Sequence, residues 1–182
     1  MRNYIMENYA VPNVTFKIRV MNAASGEFEW AYPTTADYFA GKRVVVFSLP
    51  GAFTPTCSTF QVPGFDALYE DILALGVDDV YCISVNDGFV MNAWAKDQQL
   101  RNLTLIPDGS GEFTEGMRML VAKDNLGFGK RSWRYAMVVN DGAVEKMFVE
   151  PGMSDDCPTD PYGETTPENV IDYLKEAVSV AA

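Results

Sequence analysis

"RVVVFSLPGAFTPTCST", residues 43–59, holds a buried strand, a loop and the opening of a helix within seventeen residues. The run 44–50 is continuously apolar and rich in valine, the pattern of a short strand covered on both faces rather than one. Pro50 and Gly51 end it. Thr54 to Thr56, with Pro55 between them, have the chemistry of a helix start, which places Cys57 in the first turn of that helix. A buried strand followed directly by a loop and a helix is one half of a βαβ unit.

The pattern repeats downstream. "GFDALYEDILALG" (64–76) carries Leu68, Ile72 and Leu75 at helical spacing and ends on Gly76. "VDDVYCISVND" (77–87) reads as a second buried strand and "GFVMNAWAKDQQL" (88–100) as a helix. "LTLIPDGSG" (103–111) is a third strand closed by a turn, and "EFTEGMRML" (112–120) a short helix. Alternating strands and helices predict a mainly parallel sheet with helices on both faces. The end differs: "RSWRYAMVVNDGAVEKMFVE" (131–150) is two β-prone runs around Asn140-Asp141-Gly142, which predicts an antiparallel hairpin. "TPENVIDYLKEAVSV" (166–180) has Thr166 to cap, Pro167 at the first helical position, and Val170, Ile171, Leu174 and Val178 on one face. Upstream, "NVTFKIRV" (13–20) and the Gly26-centred "NAASGEFEW" (22–30) predict an extra β-hairpin. The expected architecture is α/β, a single thioredoxin-like domain over residues 1–182, its central mixed sheet flanked by helices and preceded by an N-terminal β extension.

Composition limits the function. The chain has 182 residues, enough for one core without disulfide or metal support. With 25 acidic against 14 basic residues it carries a formal charge of −11, which repels nucleic-acid phosphates and anionic lipid. No stretch approaches the roughly 18 uninterrupted apolar residues of a membrane span. The N-terminal "MRNYIMENYAVPN" lacks a secretory apolar core, so a cytoplasmic location is expected, and neither nucleic acid nor membrane is an expected partner. The three cysteines, Cys57, Cys82 and Cys157, form no C-x-x-C pair and no secreted disulfide framework. There is no histidine, which excludes Cys-His and Ser-His pairs and His-ligated zinc within the chain. Neither a metal nor an organic cofactor is expected.

A reactive cysteine must therefore be activated by other means, and a helix N-terminus supplies one. Unpaired N–H groups and the positive end of the helix dipole favour a thiolate there. Thiols that ordinarily titrate near 8.5 fall to roughly 3.5–7.5 at such sites with a cation nearby. The competing structural reading, a small buried hydrophobe, describes most free cysteines. It gives no reason for the prolines and threonines around Cys57, or for a position beyond the C-terminal end of a buried strand.

"LPGAFTPTCS" resembles the active-site signature of the peroxiredoxins, specifically the peroxiredoxin 5 class, also called type II: the pattern Pro-x-x-x-Thr-x-x-Cys falls on Pro50, Thr54 and Cys57. "GVDDVYCISVNDGFVMNAWAKD", "LIPDGSGEFT", "NLGFGKRSWRYAMVVNDG" and "VEPG" resemble later blocks of that class in the same order, over roughly residues 10 to 178. The resemblance implies a thiol peroxidase. Cys57 would attack a hydroperoxide and become a sulfenic acid. Thr54 would hydrogen-bond the thiolate and the peroxide, Pro50 would shield the sulfur from water, and Arg134 would stabilise the thiolate and polarise the peroxide. Arg131, placed by strand alternation on the opposite face from Arg134, is assigned a structural or interface role. Many members of the class carry histidine four residues after the cysteine, where this chain has Gln61. Phe53, Phe128 and Trp133 are the aromatics expected to shape the mouth of the site.

Recycling of the sulfenic acid stays open at this level. Cys82 matches the place of a second cysteine in plant members, and Cys157 lies near that of the animal resolving cysteine. Asp155, Asp156 and Asp160 are expected to raise the Cys157 thiol. External reduction by glutathione with glutaredoxin is favoured over either, with thioredoxin as another reductant. A homodimer is implied by the class. The alternative function is a peroxide sensor and relay that passes oxidation from Cys57 to a partner protein.

Overall fold

The computed structural model describes residues 8–181, so the first half of the N-terminal stretch read above for a secretory core lies outside the described residues. Strand β3 (Arg43–Ser48) is the centre of a five-stranded sheet. It pairs in parallel with β4 (Asp79–Ser84), and β4 with β5 (Thr104–Pro107). On its other side β3 pairs antiparallel with β8 (Tyr135–Asn140), which pairs antiparallel with β9 (Ala143–Val149). The mixed sheet is the thioredoxin-like layout expected. Hairpin β1–β2 (Ile18–Met21 and Phe28–Ala31) is a separate two-stranded sheet, tied to α4 (Gly88–Asp97) by the Asn92 amide donating to the Arg19 carbonyl at 3.0 Å.

Alternation along β3 divides the core into two layers. Val44 and Val46 face one layer with Tyr81, Ile83, Phe113, Trp133 and Met137. Val45 and Phe47 face the other, with Cys57, Phe65, Cys82, Trp94, Val138 and Leu174. Both faces are buried, as the continuous apolar run requires. The second layer is roofed by α2 (Val62–Ala67), α3 (Tyr69–Leu73), α4 and α6 (Pro167–Ala181). Helix α6 starts as read: the Thr166 hydroxyl accepts the Asn169 N–H at 3.2 Å, and Val170 and Leu174 are buried. Val178, expected on the same face, is exposed, in a shallow hollow with Arg43, Asn140 and Glu145 at the ends of the strands.

Two local expectations need correction. The helix expected over 64–76 begins earlier and breaks at Leu68 between α2 and α3, with Ile72 remaining fully buried. The run from Arg131 into β8 is not one strand. Lys130–Ser132 forms β7, paired antiparallel with β6 (Leu120–Ala122), and β8 starts only at Tyr135. The break is held by Trp133, whose backbone N–H donates to the Met119 carbonyl at 2.7 Å and whose indole N–H donates to the Glu150 carbonyl at 2.8 Å. Arg131 and Arg134 therefore do not alternate across one strand. At the far end of β8, Asp141 and Gly142 both have positive φ (48° and 78°), the two-residue turn that Asn-Asp-Gly foretold. Among the described residues no helix is long and apolar enough to cross a membrane.

Candidate active site

The loop leaving β3 is fixed before it reaches Cys57. Asn86, just past β4, accepts the Ala52 N–H at 3.0 Å and the Ser84 hydroxyl at 2.6 Å, tying the loop to the neighbouring strand. Phe53 sits in the left-handed region (φ 63°), a conformation that folded proteins tolerate mainly where function holds it. The Ser58 N–H then donates to the Thr54 carbonyl at 3.0 Å, the first helical bond, with Pro55 inside the turn. Cys57 is in that first turn and is fully buried, as its sequence position implied.

The next turn is π-helical over Cys57–Gln61, with the Val62 N–H reaching back five residues to the Cys57 carbonyl. Pro63 has no N–H for the ladder and so favours such a bulge just before it. The extra residue turns Gln61 inward, where it is buried, and its side-chain oxygen accepts from Arg134 Nη1.

Arg134 occupies the break between β7 and β8 and is 1% exposed. Its Nη1 also lies 3.5 Å from Cys57 Sγ, and its Nη2 donates to Asp160 Oδ1 at 2.7 Å. The guanidinium stands 5.6 Å from the centre of the Tyr162 ring. Burial opposes its charge, but Cys57 and Asp160 outweigh that and hold it above the ordinary arginine value. The arginine assigned from sequence is thus the one that faces the sulfur. Arg131 serves the loop instead: its Nη1 donates to the Pro50 carbonyl and its Nε to the Phe128 carbonyl, both at 3.2 Å. Gly51 makes room for it, since a Cβ there would lie 2.1 Å from Arg131 Nη1. Pro50 is buried at the end of the strand that leads into the loop. The Thr54 hydroxyl donates to the Gly51 carbonyl at 2.7 Å, so the expected bond to Cys57 is not made here and requires rotation about χ1.

Pro50, Thr54, Leu126, Phe128, Cys157 and Asp160 line a groove of about 420 Å³ in front of this centre. Of the three aromatics expected at the mouth, Phe128 is in the lining. Phe53 points outward against Trp94, ring centres 6.4 Å apart, and Trp133 is buried behind.

The residues 31–161 match the Redoxin family model. A peroxiredoxin of Rhizobium etli is 60% identical over 91% of this chain and 94% of its own. The chain belongs to the peroxiredoxin family. Among solved structures, a 1-Cys peroxiredoxin, the antioxidant protein of Plasmodium falciparum, is 37% identical and superposes with a TM-score of 0.89, covering 93% of this chain and 99% of that one. Reduced Prx3 of Vibrio vulnificus, determined in complex with hydrogen peroxide, is 32% identical with a TM-score of 0.80, covering 92% and 98%. Peroxiredoxins are thiol-dependent peroxidases, and this chain carries that activity with its family.

The other two thiols of this peroxiredoxin differ sharply. Cys82 is sealed in β4 between Phe47 and Leu105, and burial, with Cys57 adding to it, pushes its thiol well up. Cys157 is half-buried in the groove, and its thiol is lowered, not raised. The bonds from Thr159 are the main cause, with the charge of Lys123 a smaller one. The aspartates expected to raise it are engaged elsewhere: Asp155 accepts the Ala122 N–H at 2.7 Å, Asp156 the Asn125 N–H at 3.0 Å, and Asp160 binds Arg134. The loop that carries Cys157 is anchored at its far end by buried Glu150, whose carboxylate accepts three successive N–H groups, Gly163 to Thr165, at 2.8–2.9 Å. Sequence reasoning passed over Asp160 as a ligand of Arg134 because nothing in "CPTDPYGE" distinguishes a carboxylate that turns inward from one in solvent.

Proposed function

We propose that Cys57 is the peroxidatic cysteine of a peroxidase for hydrogen peroxide and small organic hydroperoxides. The observation that carries this is Arg134 held against the buried Cys57 sulfur in the first turn of a helix, beside a groove lined by Pro50 and Thr54 of the same loop. The thiolate attacks the outer peroxide oxygen, an S–O bond forms as the O–O bond breaks, and water or alcohol leaves after taking up a proton. Arg134 supports the thiolate and the charge that develops on the leaving oxygen. Thr54, once its hydroxyl turns from Gly51, binds the peroxide, and Pro50 keeps water from the sulfur. The hydrogen peroxide complex of the Vibrio vulnificus neighbour supports this substrate.

The sulfenic acid is reduced by an external thiol, glutathione with glutaredoxin ahead of thioredoxin, in the cytoplasm. One thiol displaces water to give a mixed disulfide, and a second releases Cys57. The 1-Cys neighbour supports this route, as does Cys82, whose sealed and raised thiol makes a poor resolver. Cys157, exposed to the groove, is the internal thiol that competes with it. A homodimer is supported by the exposed aromatics Phe53, Phe60 and Phe89 around the loop and α4. The test is peroxide consumption with glutathione and glutaredoxin, beside Cys57→Ser, Cys82→Ser and Cys157→Ser. Loss in Cys57→Ser alone supports the reading. Loss of turnover, but not of the first reaction with peroxide, in Cys157→Ser makes that residue the resolver.

A further inference from the structure

Lys123 lies between β6 and the short turn Asp124–Leu126 and is 3% exposed. Its backbone is locked, the N–H donating to the Gly129 carbonyl at 2.8 Å and the carbonyl accepting from Leu126 and Phe128, each at 3.1 Å. The ammonium has no comparable partner. The described residues hold two ion pairs, Arg43–Glu145 and Arg134–Asp160, and neither includes it. What it faces is the Trp133 ring, with Nζ 5.5 Å from the ring centre. The stem is buried while the charged tip faces the groove, so the cation stays open to a ligand arriving there. Asp155 and Asp156 are committed to backbone amides and Asp160 to Arg134.

The same lysine lines the groove together with Pro50, Thr54 and Thr56 of the Cys57 loop. Its charge is already felt there by the Cys157 thiol. The rest of the lining mixes the apolar Pro55, Leu126, Phe128 and Pro158 with polar groups, among them Asp160, whose charge is paired with Arg134. The groove therefore offers an unpaired cation and an apolar wall beside Pro50 and Thr54 of the loop that leads into Cys57. On a chain of net charge −11, a carboxylate arriving from solvent finds here a cation that no carboxylate neutralises.

We propose that Lys123 is a carboxylate subsite: it binds the acid group of a small organic molecule whose other end reaches Cys57. This rests on the assignment of Cys57 as peroxidatic cysteine. Two sources share the chemistry, a hydroperoxide that bears a carboxylate and a reducing thiol that bears one. The first delivers its outer oxygen to the thiolate. The second delivers its sulfur to the sulfenic acid, with water leaving.

The experiment measures four rate constants in wild type, Lys123→Met and Lys123→Arg. Cys57 is oxidised by tert-butyl hydroperoxide or by linoleate hydroperoxide, and the sulfenic acid is reduced by 2-mercaptoethanol or by 3-mercaptopropionate. Methionine keeps the stem over Trp133 without the charge. The expected result is that Lys123→Met lowers the charged-to-neutral ratio about tenfold in at least one arm, that Lys123→Arg keeps it, and that the neutral reagents react as in wild type. The arm that responds identifies the ligand. Ratios unchanged in both arms, or all four rates falling together, overturn the subsite and leave Lys123 a packing residue. Failure of wild type to react with the neutral hydroperoxide is a separate result: it removes the peroxidase reading, and the subsite with it.

Discussion

Arg134 bonds Asp160 at 2.7 Å through one terminal nitrogen while the other stands 3.5 Å from the sulfur of Cys57. One buried cation is thus shared between the reacting thiol and a carboxylate on the loop that carries Cys157. The fork geometry of a guanidinium makes the arrangement possible, and a lysine could not reproduce it. The expected result of Asp160→Asn is a roughly tenfold fall in the rate of Cys57 oxidation, with Asp160→Glu recovering most of it. Stopped-flow oxidation at fixed pH measures this, together with the melting temperature. A melting temperature that falls while the rate holds would make Asp160 a loop anchor only.

Arg131 acts on the same centre from the loop side, and Gly51 tests it. A Cβ at Gly51 would fall 2.1 Å from Arg131 Nη1, so alanine must push the guanidinium away from the Pro50 carbonyl. The clash is with the end of a flexible side chain, but Gly51 has φ 157°, where a Cβ is also strained. The fold should lose the roughly 1.5–3 kcal/mol of a hydrogen bond to a charged group and about 1–3 kcal/mol of backbone strain besides, a loss that Arg131→Met separates from the loss of the brace. Peroxide reactivity should fall by about tenfold, because Pro50 and Thr54 lose their brace. Arg131→Met should reproduce the loss. Full activity in both variants would show that the loop holds itself.

The two remaining thiols should separate by pH. Cys157 is lowered by its Thr159 bonds, so its thiolate persists below the pH at which an ordinary cysteine becomes protonated. Cys82 is raised by burial and has no access to solvent. In Cys57→Ser, iodoacetamide at neutral pH should label Cys157 alone, with Cys82 labelled only after unfolding. Thr159→Val should move the Cys157 labelling curve to higher pH. Mass spectrometry of labelled peptides against pH reads both, and labelling of Cys82 in the folded protein would contradict the sealed strand.

How much of this was legible in the sequence depends on the distance over which each feature is encoded. The apolar run 44–50, whose strand spans Arg43–Ser48, the Pro-Thr opening of the helix and the Asn-Asp-Gly turn are local, and each formed close to where it was read. So did the placement of Cys57 in the first turn. Arg134 was found through its motif, but the strand through Arg131 was drawn too long. The β6–β7 pairing and the Trp133 anchors that break it come from residues far along the chain. The lowered thiol of Cys157 was missed for the same reason. Charge counting put three aspartates beside it, while the fold turned each toward a partner elsewhere. Lys123 has no local signature, since its burial depends on Trp133 ten residues later.

Arg43 at the start of β3 donates to Glu145 of β9 through two nitrogens, at 3.0 and 2.6 Å, and the Tyr173 hydroxyl of α6 donates to the same carboxylate at 3.0 Å. These bonds, the arginine's first, hold the Glu145 carboxyl below its ordinary value of 4.5. A carboxyl lowered in the folded state stabilises the fold above the unfolded value, and the gain disappears as pH falls through the folded value. Wild type should therefore melt above Glu145→Gln at pH 7, and the gap should close only once pH drops below about 4.5. Because the pair is partly exposed, the gap should also shrink in 1 M salt. A gap that stays constant from pH 7 to pH 3 would mean that glutamine disturbs packing at the β9–α6 seam rather than removing a charge.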